Sequence, residues 1–195
     1  YRVLPQVGFR TADAMEQRGD YQRAWEVLET VLQVAPDNAM AAYRIGRVFE
    51  HVRRGAEATE YYERALAQAP RFLAVYPALA EQYGASMRYD KAEATWRAGL
   101  ALAPADAELL GGLGRLYLRL GRWPEAVALY DEAHRLHPRD AQVCNNLGVA
   151  YLQQGQSAAA RDWLARAVKL SPKYARAWAN LGEAHKALGD TEAAR

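Results

Sequence analysis

The sequence predicts an all-α fold of the α-solenoid class, in which antiparallel helix pairs stack in a row. The first observation is a proline every 34 residues along the chain. A fixed period of this length indicates one supersecondary unit copied in tandem. The second observation is that apolar residues recur inside each period at the spacing of a helix face. We therefore expect one continuous array over residues 1–195. The periodic prolines are Pro36, Pro70, Pro104, Pro138 and Pro172.

Each period can be aligned by counting its proline as position 32. Position 8 is then always glycine or alanine and position 20 is alanine, which lets two helix backbones approach closely. Positions 11 and 24 are mostly large and fill the space on either side, as a dense core requires. The predicted repeats are 5–38, 39–72, 73–106, 107–140 and 141–174, with a sixth that begins at 175. The residues at position 20 are Ala24, Ala58, Ala92, Ala126, Ala160 and Ala194.

Every repeat is predicted to contain two helices joined by a tight turn. The first helix, helix A, carries apolar positions 4, 7, 8 and 11, and the second, helix B, carries positions 20, 24 and 27. Position 15 between them is glycine in four repeats, where a helix end needs a left-handed residue, and Arg53 and Met87 replace it in two others. The periodic proline ends helix B, because its ring cannot continue the helix. The turn glycines are Gly19, Gly121, Gly155 and Gly189.

These columns resemble the tetratricopeptide repeat, and the resemblance covers essentially the whole chain. Its clearest stretches are residues 113–117 (Leu-Gly-Arg-Leu-Tyr), 147–151 (Leu-Gly-Val-Ala-Tyr) and 178–182 (Trp-Ala-Asn-Leu-Gly). Gly8 and Thr11 depart from the pattern in the first repeat. The resemblance implies a right-handed superhelix whose concave groove is lined by helix A of each repeat. It also implies that positions 2, 5, 6, 9, 12 and 13 point into that groove.

Carried over by position, the first two repeats place arginines and an aromatic ring in the groove. Arg10 and Arg44 stand one repeat apart in the same column, close to Tyr43 and Arg47. Such a surface is expected to hold an acidic side chain or a terminal carboxylate through charge-assisted hydrogen bonds. The alternative is a solvated face whose charges pair along their own helix and contribute little.

The middle of the groove is predicted to be nearly bare, with Gly111 and Gly112 adjacent in one helix. Each glycine costs a helix about 1 kcal/mol relative to alanine. Either a ligand backbone approaches closely here, or the rest of the stack tolerates the glycines. Family members that grip chaperone tails carry Lys and Arg where this chain has Gly111 and Asn180, so we do not expect chaperone-tail binding.

The last repeats place amides in the groove. Asn146 and Asn180 share position 6 on successive helices, although asparagine is a poor helix former. A column of amides can hold an extended peptide backbone without reading its side chains. The pair is similar to the asparagine ladder in the tetratricopeptide superhelix of a glycosyltransferase. The alternative is that these amides bond to water or to a neighbouring helix. The predicted partner-binding residues of this region are Arg115, Arg119, Asn145, Asn146, Gln153 and Asn180.

Composition limits the classes of partner. The net charge is +2, from 25 basic and 23 acidic residues. A nucleic-acid surface needs a clear excess of basic residues on one face, so we do not expect nucleic acid as a partner. No apolar run approaches the ~20 residues of a membrane span, so we expect no membrane insertion. Cys144 is the only cysteine, which fits a reducing compartment. We expect a soluble protein of the cytoplasm, with the bacterial periplasm as the alternative.

Catalytic and cofactor-binding patterns are not found, so a protein that is not an enzyme and carries no cofactor or metal is expected. His134 and His137 are spaced i, i+3 but lack accompanying Glu or Cys ligands, and a solvated pair is the expectation. Cys144 is expected to be buried, since it occupies the apolar position 4. His185 replaces the core aromatic residue of position 11 and is expected to be packed.

The leading function is therefore a protein–protein interaction scaffold that docks a peptide or a partner helix in its concave groove. One alternative is a substrate-recruiting arm of a larger enzyme, such as a glycosyltransferase. Another is a self-assembly or envelope-assembly module that forms a homo-oligomer through the face left open by the truncated sixth repeat. Because the chain begins at Tyr1 and ends within a repeat at Arg195, we expect it to be a segment of a longer protein.

Overall fold

The structure is a computed structural model that describes residues 5–189. This part of the chain contains eleven helices and no strand, which confirms the predicted all-α solenoid of helix pairs. Ala194, predicted to continue the alanine column, lies outside the described residues. The helices are α1 Pro5–Gln17, α2 Tyr21–Val34, α3 Ala39–His51, α4 Gly55–Gln68, α5 Val75–Ala85, α6 Tyr89–Leu102, α7 Ala107–Arg119, α8 Trp123–Leu136, α9 Ala141–Gln153, α10 Ser157–Leu170 and α11 Ala175–Ala187.

The helix bounds follow the predicted period closely. Helix B occupies positions 17–30 in all five complete repeats, and helix A begins at position 1 in every repeat except that of α5. In four repeats the residue before the periodic proline has φ between −129° and −137° and ψ between 71° and 86°. The proline ring pushes its predecessor out of the helical region, so each helix B ends two residues before the proline.

Carbonyl groups of the periodic prolines also join successive repeats. The Pro36 carbonyl accepts hydrogen bonds from Arg64 (2.9 Å) and Gln68 (2.6 Å) of the next helix B. The Pro138 carbonyl likewise accepts from Arg166, at 3.3 Å. These bonds satisfy backbone acceptors in the turn that follows each of these B helices.

Close packing of helix A on helix B explains the small residue at position 8. A Cβ atom on Gly46 would lie 2.5 Å from the Tyr62 ring, and one on Gly114 would lie 2.6 Å from the Tyr130 ring. Real Cβ atoms do not approach other atoms so closely, so these positions have to be glycine as long as tyrosine stands opposite. The alanines of position 20 from Ala24 to Ala160 are completely buried, as predicted.

The chain divides into two compact units at the turn before Pro104, with the first unit ending at Leu102 and the second starting at Ala103. In the first unit α1 packs on α2, α3 on α4 and α5 on α6. In the second unit α7 packs on α8 and α9 packs on α10, and α11 packs on α10 in turn. The single array over residues 1–195 stays a prediction. Over residues 5–189 no helix combines the length and the apolar character needed to cross a membrane.

The turn between helices A and B requires a left-handed residue in every repeat. The four turn glycines have φ between 72° and 80°, and Arg53 and Met87 take the same conformation with φ of 60° and 59°. For residues with a side chain this conformation costs roughly 1–2 kcal/mol. Arg53 and Met87 therefore lower the stability of the fold relative to glycine at the same position.

We expect Met87→Gly to raise the free energy of unfolding by about 0.5–1 kcal/mol, since the relief of strain exceeds the extra entropy of glycine in the unfolded chain. Met87 is 74% exposed, so little packing is lost. Thermal and urea denaturation followed by circular dichroism measure the change. The matched control is Gly121→Ala, whose Cβ would meet nothing within 4 Å and which should lose a similar amount. An unchanged or lowered stability for Met87→Gly would contradict the strain.

Candidate functional site

The second unit presents a surface formed by its A helices, α7, α9 and α11. Helix α9 contacts both α7 and α11, so the three lie side by side. A pocket of about 320 Å³ opens between α7 and α9. We refer to it as the α7–α9 pocket. Its lining residues are Ala107, Glu108, Gly111, Arg115, Asp140, Gln142, Val143 and Asn146.

A directed chain of amides leads to this pocket. Asn180 Nδ2 on α11 donates to Asn145 Oδ1 on α9 at 2.8 Å, and Asn145 Nδ2 donates to Asn146 Oδ1 at 3.3 Å. Asn145 is only 2% exposed, so its amide is a structural link between the two helices. Because the Asn146 oxygen is used as the acceptor, its Nδ2 keeps two N–H groups available as donors beside the pocket.

Two glycines of α7, Gly111 and Gly114, differ in whether packing requires a glycine. Gly114 is required by its packing against Tyr130. A Cβ on Gly111 would meet only the Arg115 Nη1 atom, at the ordinary contact distance of 3.5 Å. Packing within the second unit therefore leaves room for a side chain at residue 111. Gly111 nevertheless costs α7 about 1 kcal/mol relative to alanine, and the room it leaves is part of the α7–α9 pocket.

The hydroxyl group of Tyr130 is a buried polar group that sequence reasoning missed. Tyr130 is completely buried, and its hydroxyl has no hydrogen-bond partner in the described structure. Burial raises the pKa of this phenol well above its usual value, against a smaller opposite effect of the Arg115 charge. The equivalent residue of another repeat, Tyr62, donates to Glu50 Oε2 at 2.8 Å. Leu118 replaces Glu50 at the same position, 12, in the Tyr130 repeat, and that substitution was the available signal.

The other predicted groove residues of the second unit lie along the same helices. Arg115 and Arg119 are exposed on α7, and Gln153 is exposed at the end of α9. Asp140 caps α9 by accepting from the backbone N–H groups of Gln142 (2.7 Å) and Val143 (3.1 Å). The structure thus brings Arg115 and Asn146 together at one pocket and uses Asn145 and Asn180 to hold its α9 side.

The predicted groove residues of the first unit are engaged within the protein. Arg44 forms ion pairs with Asp13 and Glu16 and donates to the Phe9 carbonyl at 3.2 Å. These contacts join α3 to α1, and they leave the Arg44 side chain 15% exposed. A ligand carboxylate at Arg44 would have to compete with two carboxylates already present.

The remaining predicted residues of the first unit are spread around this cluster. Tyr43 packs its ring on Tyr62 (5.8 Å between centroids) and on Phe72 (5.1 Å). Arg10 on α1 and Arg47 on α3 are exposed. The first unit therefore offers exposed cations, but its central arginine serves helix packing.

The histidine–cysteine region of the second unit is a packing cluster. His134 is half-buried with its ring edge-on to Trp163 at 4.8 Å, and its Nδ1 lies 3.9 Å from the Sγ atom of the buried Cys144. The expectation of a solvated pair with His137 is therefore wrong for His134. Burial is the main cause that lowers the pKa of His134, and it raises the pKa of the Cys144 thiol. Over residues 5–189 no group of three His, Cys, Asp or Glu side chains is arranged to hold a metal ion.

Comparison with known proteins places the chain among repeat proteins. A family profile described as tetratricopeptide repeat matches residues 9–71, 78–141, 114–175 and 145–195. No curated protein sequence matches the chain. The solved structures with a similar fold include a MamA protein (TM-score 0.78, 19% identity, 88% of this chain and 94% of that chain). They also include YrrB (0.74, 20%, 89% and 90%) and a thermophilic repeat protein of Thermus thermophilus (0.70, 23%, 93% and 98%). At these identities the likenesses show the fold alone.

Proposed function

Because the chain belongs to the tetratricopeptide repeat family, and so has the architecture of a protein-interaction scaffold, we propose that its second unit binds an extended peptide segment of a partner protein. The segment lies on the surface formed by α7, α9 and α11, and it is held without chemical turnover. The observation that carries this proposal is the amide chain from Asn180 through Asn145 to Asn146.

The amide chain suits a peptide backbone for a physical reason. Its hydrogen bonds all run in one direction, so it ends on the N–H groups of Asn146 Nδ2. These N–H groups are donors, and an extended peptide supplies one carbonyl acceptor per residue. Turning over the Asn145 amide alone would break its bonds to both Asn180 and Asn146. A preorganised donor costs less entropy on binding than a mobile one.

One of the similar structures is compatible with this use of the fold. YrrB is described as a tetratricopeptide repeat protein with an unusual peptide-binding site. Its identity of 20% supports no transfer of individual residues, and the proposal rests on the geometry of this chain.

We expect the double variant Asn146→Ala with Gln153→Ala to weaken peptide binding at least tenfold. The variant removes the N–H donors of Asn146 and a second amide, that of Gln153, from the surface. The probe is a set of peptides selected from a displayed random 12-residue library with the unchanged protein. Isothermal titration calorimetry measures the Kd of each peptide for both proteins. Asn180 is left intact, because it supports the buried Asn145.

The matched control is Lys169→Ala on α10, an exposed charge on a helix B of the same unit. The Lys169→Ala variant should bind the peptides as the unchanged protein does. The melting temperatures of both variants should lie within a few degrees of that of the unchanged protein. Selected peptides whose affinity is the same for the double variant would refute binding at this surface. Failure of the library to yield any binder would refute peptide recognition by this chain.

A further inference from the structure

A second concave surface of the second unit lies apart from the surface formed by α7, α9 and α11. It is a groove of about 610 Å³ between α10 and the turn that follows α8. None of the described residues that line it belongs to a helix A. We refer to it as the α10 groove. Its lining residues are Pro138, Arg139, Ala165, Arg166, Lys169 and Leu170.

Every charged residue in this lining is a cation. Arg139, Arg166 and Lys169 are all exposed, and none of them forms an ion pair with a carboxylate of the described chain. Arg166 is held by uncharged groups instead, since it donates to the Pro138 carbonyl at 3.3 Å and lies 5.7 Å from the centre of the Trp163 ring. Positive charge that is gathered in a concave surface and left uncompensated attracts an anionic group.

The equivalent positions of other repeats do not gather three cations. The cations stand at position 33 of one repeat and at positions 26 and 29 of the next, and position 25 completes this part of the lining. Between the second and third repeats the only cations at these positions are Arg71 and Arg97, and Arg97 pairs with Glu93 at 2.7 Å. Two other junctions hold more negative than positive charge. Their residues are Asp37, Glu63, Arg64 and Ala67 at one and Ala105, Asp131, Glu132 and Arg135 at the other.

Helix dipoles do not account for the three cations together. A cation in the last turn of a helix stabilises it, and this effect falls off within that turn. Lys169 is the basic residue in the last turn of α10, whereas α2, α4 and α6 have none in theirs. Arg166 lies before the last turn of α10, and Arg139 lies beyond the end of α8. The fold therefore does not require positive charge at this groove.

Part of the α10 groove is apolar, which narrows the chemistry of a matching ligand. Leu170 is 37% exposed, and Ala165 is exposed beside it on α10. At the first junction Gln68 stands at the position of Leu170 and donates to the Pro36 carbonyl at 2.6 Å. Leucine cannot make this bond, and its exposed apolar surface gains from being covered. A matching ligand therefore combines carboxylates with an apolar side chain.

This combination favours an acidic protein segment over a nucleic acid. A phosphate backbone needs a basic stripe along one face, whereas the whole chain has a net charge of only +2. Glutamate and aspartate side chains offer carboxylates to the fork of an arginine and to the ammonium group of a lysine. Leucine or a similar residue of the same segment can cover the apolar part of the groove.

We infer that the α10 groove is a docking site for an acidic segment of a partner protein. Carboxylates of the segment pair with Arg139, Arg166 and Lys169, and one of its apolar side chains covers Leu170. The site is separate from the peptide-binding surface proposed above, so the second unit can hold two segments at once.

The test measures the binding of a defined acidic peptide by fluorescence anisotropy in a buffer of low ionic strength. The probe is a dye-labelled nonapeptide with blocked ends, in which the sequence Leu-Glu-Glu occurs three times. The comparison peptide carries glutamine in place of every glutamate. We expect saturable binding of the glutamate peptide and a Kd at least about tenfold higher for the glutamine peptide. Added sodium chloride should weaken the glutamate peptide, because salt screens exposed charges.

Two variants of the groove separate charge from shape. Arg139→Gln with Lys169→Gln should weaken the glutamate peptide about tenfold, since each exposed ion pair contributes modestly on its own. Arg139→Lys with Lys169→Arg keeps both charges and should stay within about threefold of the unchanged protein. Arg166 is left intact, because it bonds to the Pro138 carbonyl.

The matched control removes the same amount of charge elsewhere. Arg18→Gln with Arg71→Gln takes two exposed cations from the first unit and should leave the affinity for the glutamate peptide within about twofold. Because Lys169 lies outside the surface formed by α7, α9 and α11, its loss should affect the acidic peptide and not the peptides held at that surface.

Several results would overturn the inference. One is the absence of saturable binding at low ionic strength, and another is equal affinity for the glutamate and glutamine peptides. An equal loss of affinity in the first-unit control would show that net charge attracts the peptide and the groove does not. A single-stranded oligonucleotide of similar length that binds more tightly than the glutamate peptide would overturn the assignment to a protein partner.

Discussion

Gly114→Ala is expected to lower the free energy of unfolding of the second unit by about 1–3 kcal/mol, the usual cost of forcing an extra methyl group into a packed core. The new Cβ would lie 2.6 Å from the Tyr130 ring, and a rigid ring between two helices cannot turn aside. Alanine is otherwise the better helix former by about 1 kcal/mol, so a loss would isolate the packing effect. Urea denaturation followed by circular dichroism measures it.

A second variant supplies the control. The first repeat combines Ala12 with Leu28 at the equivalent positions, and both are completely buried. Gly114→Ala combined with Tyr130→Leu should therefore cost less than the sum of the two single changes. Additive costs would show that contact between residues 114 and 130 is not the reason for glycine. Gly46→Ala should repeat the loss in the first unit, against Tyr62.

Asn180→Ala is expected to destabilise the second unit by about 1–3 kcal/mol, although Asn180 itself is only half-buried. The change leaves the oxygen of the buried Asn145 without its donor, and a buried polar group without a partner costs this much. The melting temperature of the variant measures the effect. An unchanged melting temperature would show that the bond between α9 and α11 contributes nothing to stability.

Removing both partners should restore most of the loss. Asn145→Leu with Asn180→Ala replaces the hydrogen bond by apolar contact, which can be nearly neutral when shapes match. Peptide binding should nevertheless remain weak in this double variant, because Asn146 loses the bond that orients its amide. Recovery of stability without recovery of binding separates the two roles of the amide chain.

The repeat period predicts the helix pairs and the turns between them. Proline position alone sets the end of each helix B, since the restriction acts on the neighbouring residue. The small columns follow from two helices in contact, so the sequence predicts a small residue at positions such as Gly46 and Gly114. Arg53 and Met87 could likewise be placed in the turn, where both adopt positive φ.

The candidate site was less predictable, because its properties depend on partners in the neighbouring repeat, 28 to 35 residues away in the sequence. Arg44 has the position of a groove residue, but Asp13 and Glu16 on the preceding helix A occupy it. Asn145 was predicted to face a ligand, and it is buried against Asn180. A column of the alignment shows which face of the helix a residue occupies. It does not show which side chain of the neighbouring repeat contacts that residue.

The identical bounds of helix B in five repeats restrict how this protein can acquire a new partner. One residue inserted inside a helix would turn everything after it in that helix by about 100°, moving core side chains outward and surface side chains inward. The register therefore makes the chain intolerant of changes in length within its helices and tolerant of changes in identity on the surface. Binding preferences in such a protein can change through single substitutions of surface residues, while the length of each repeat stays fixed.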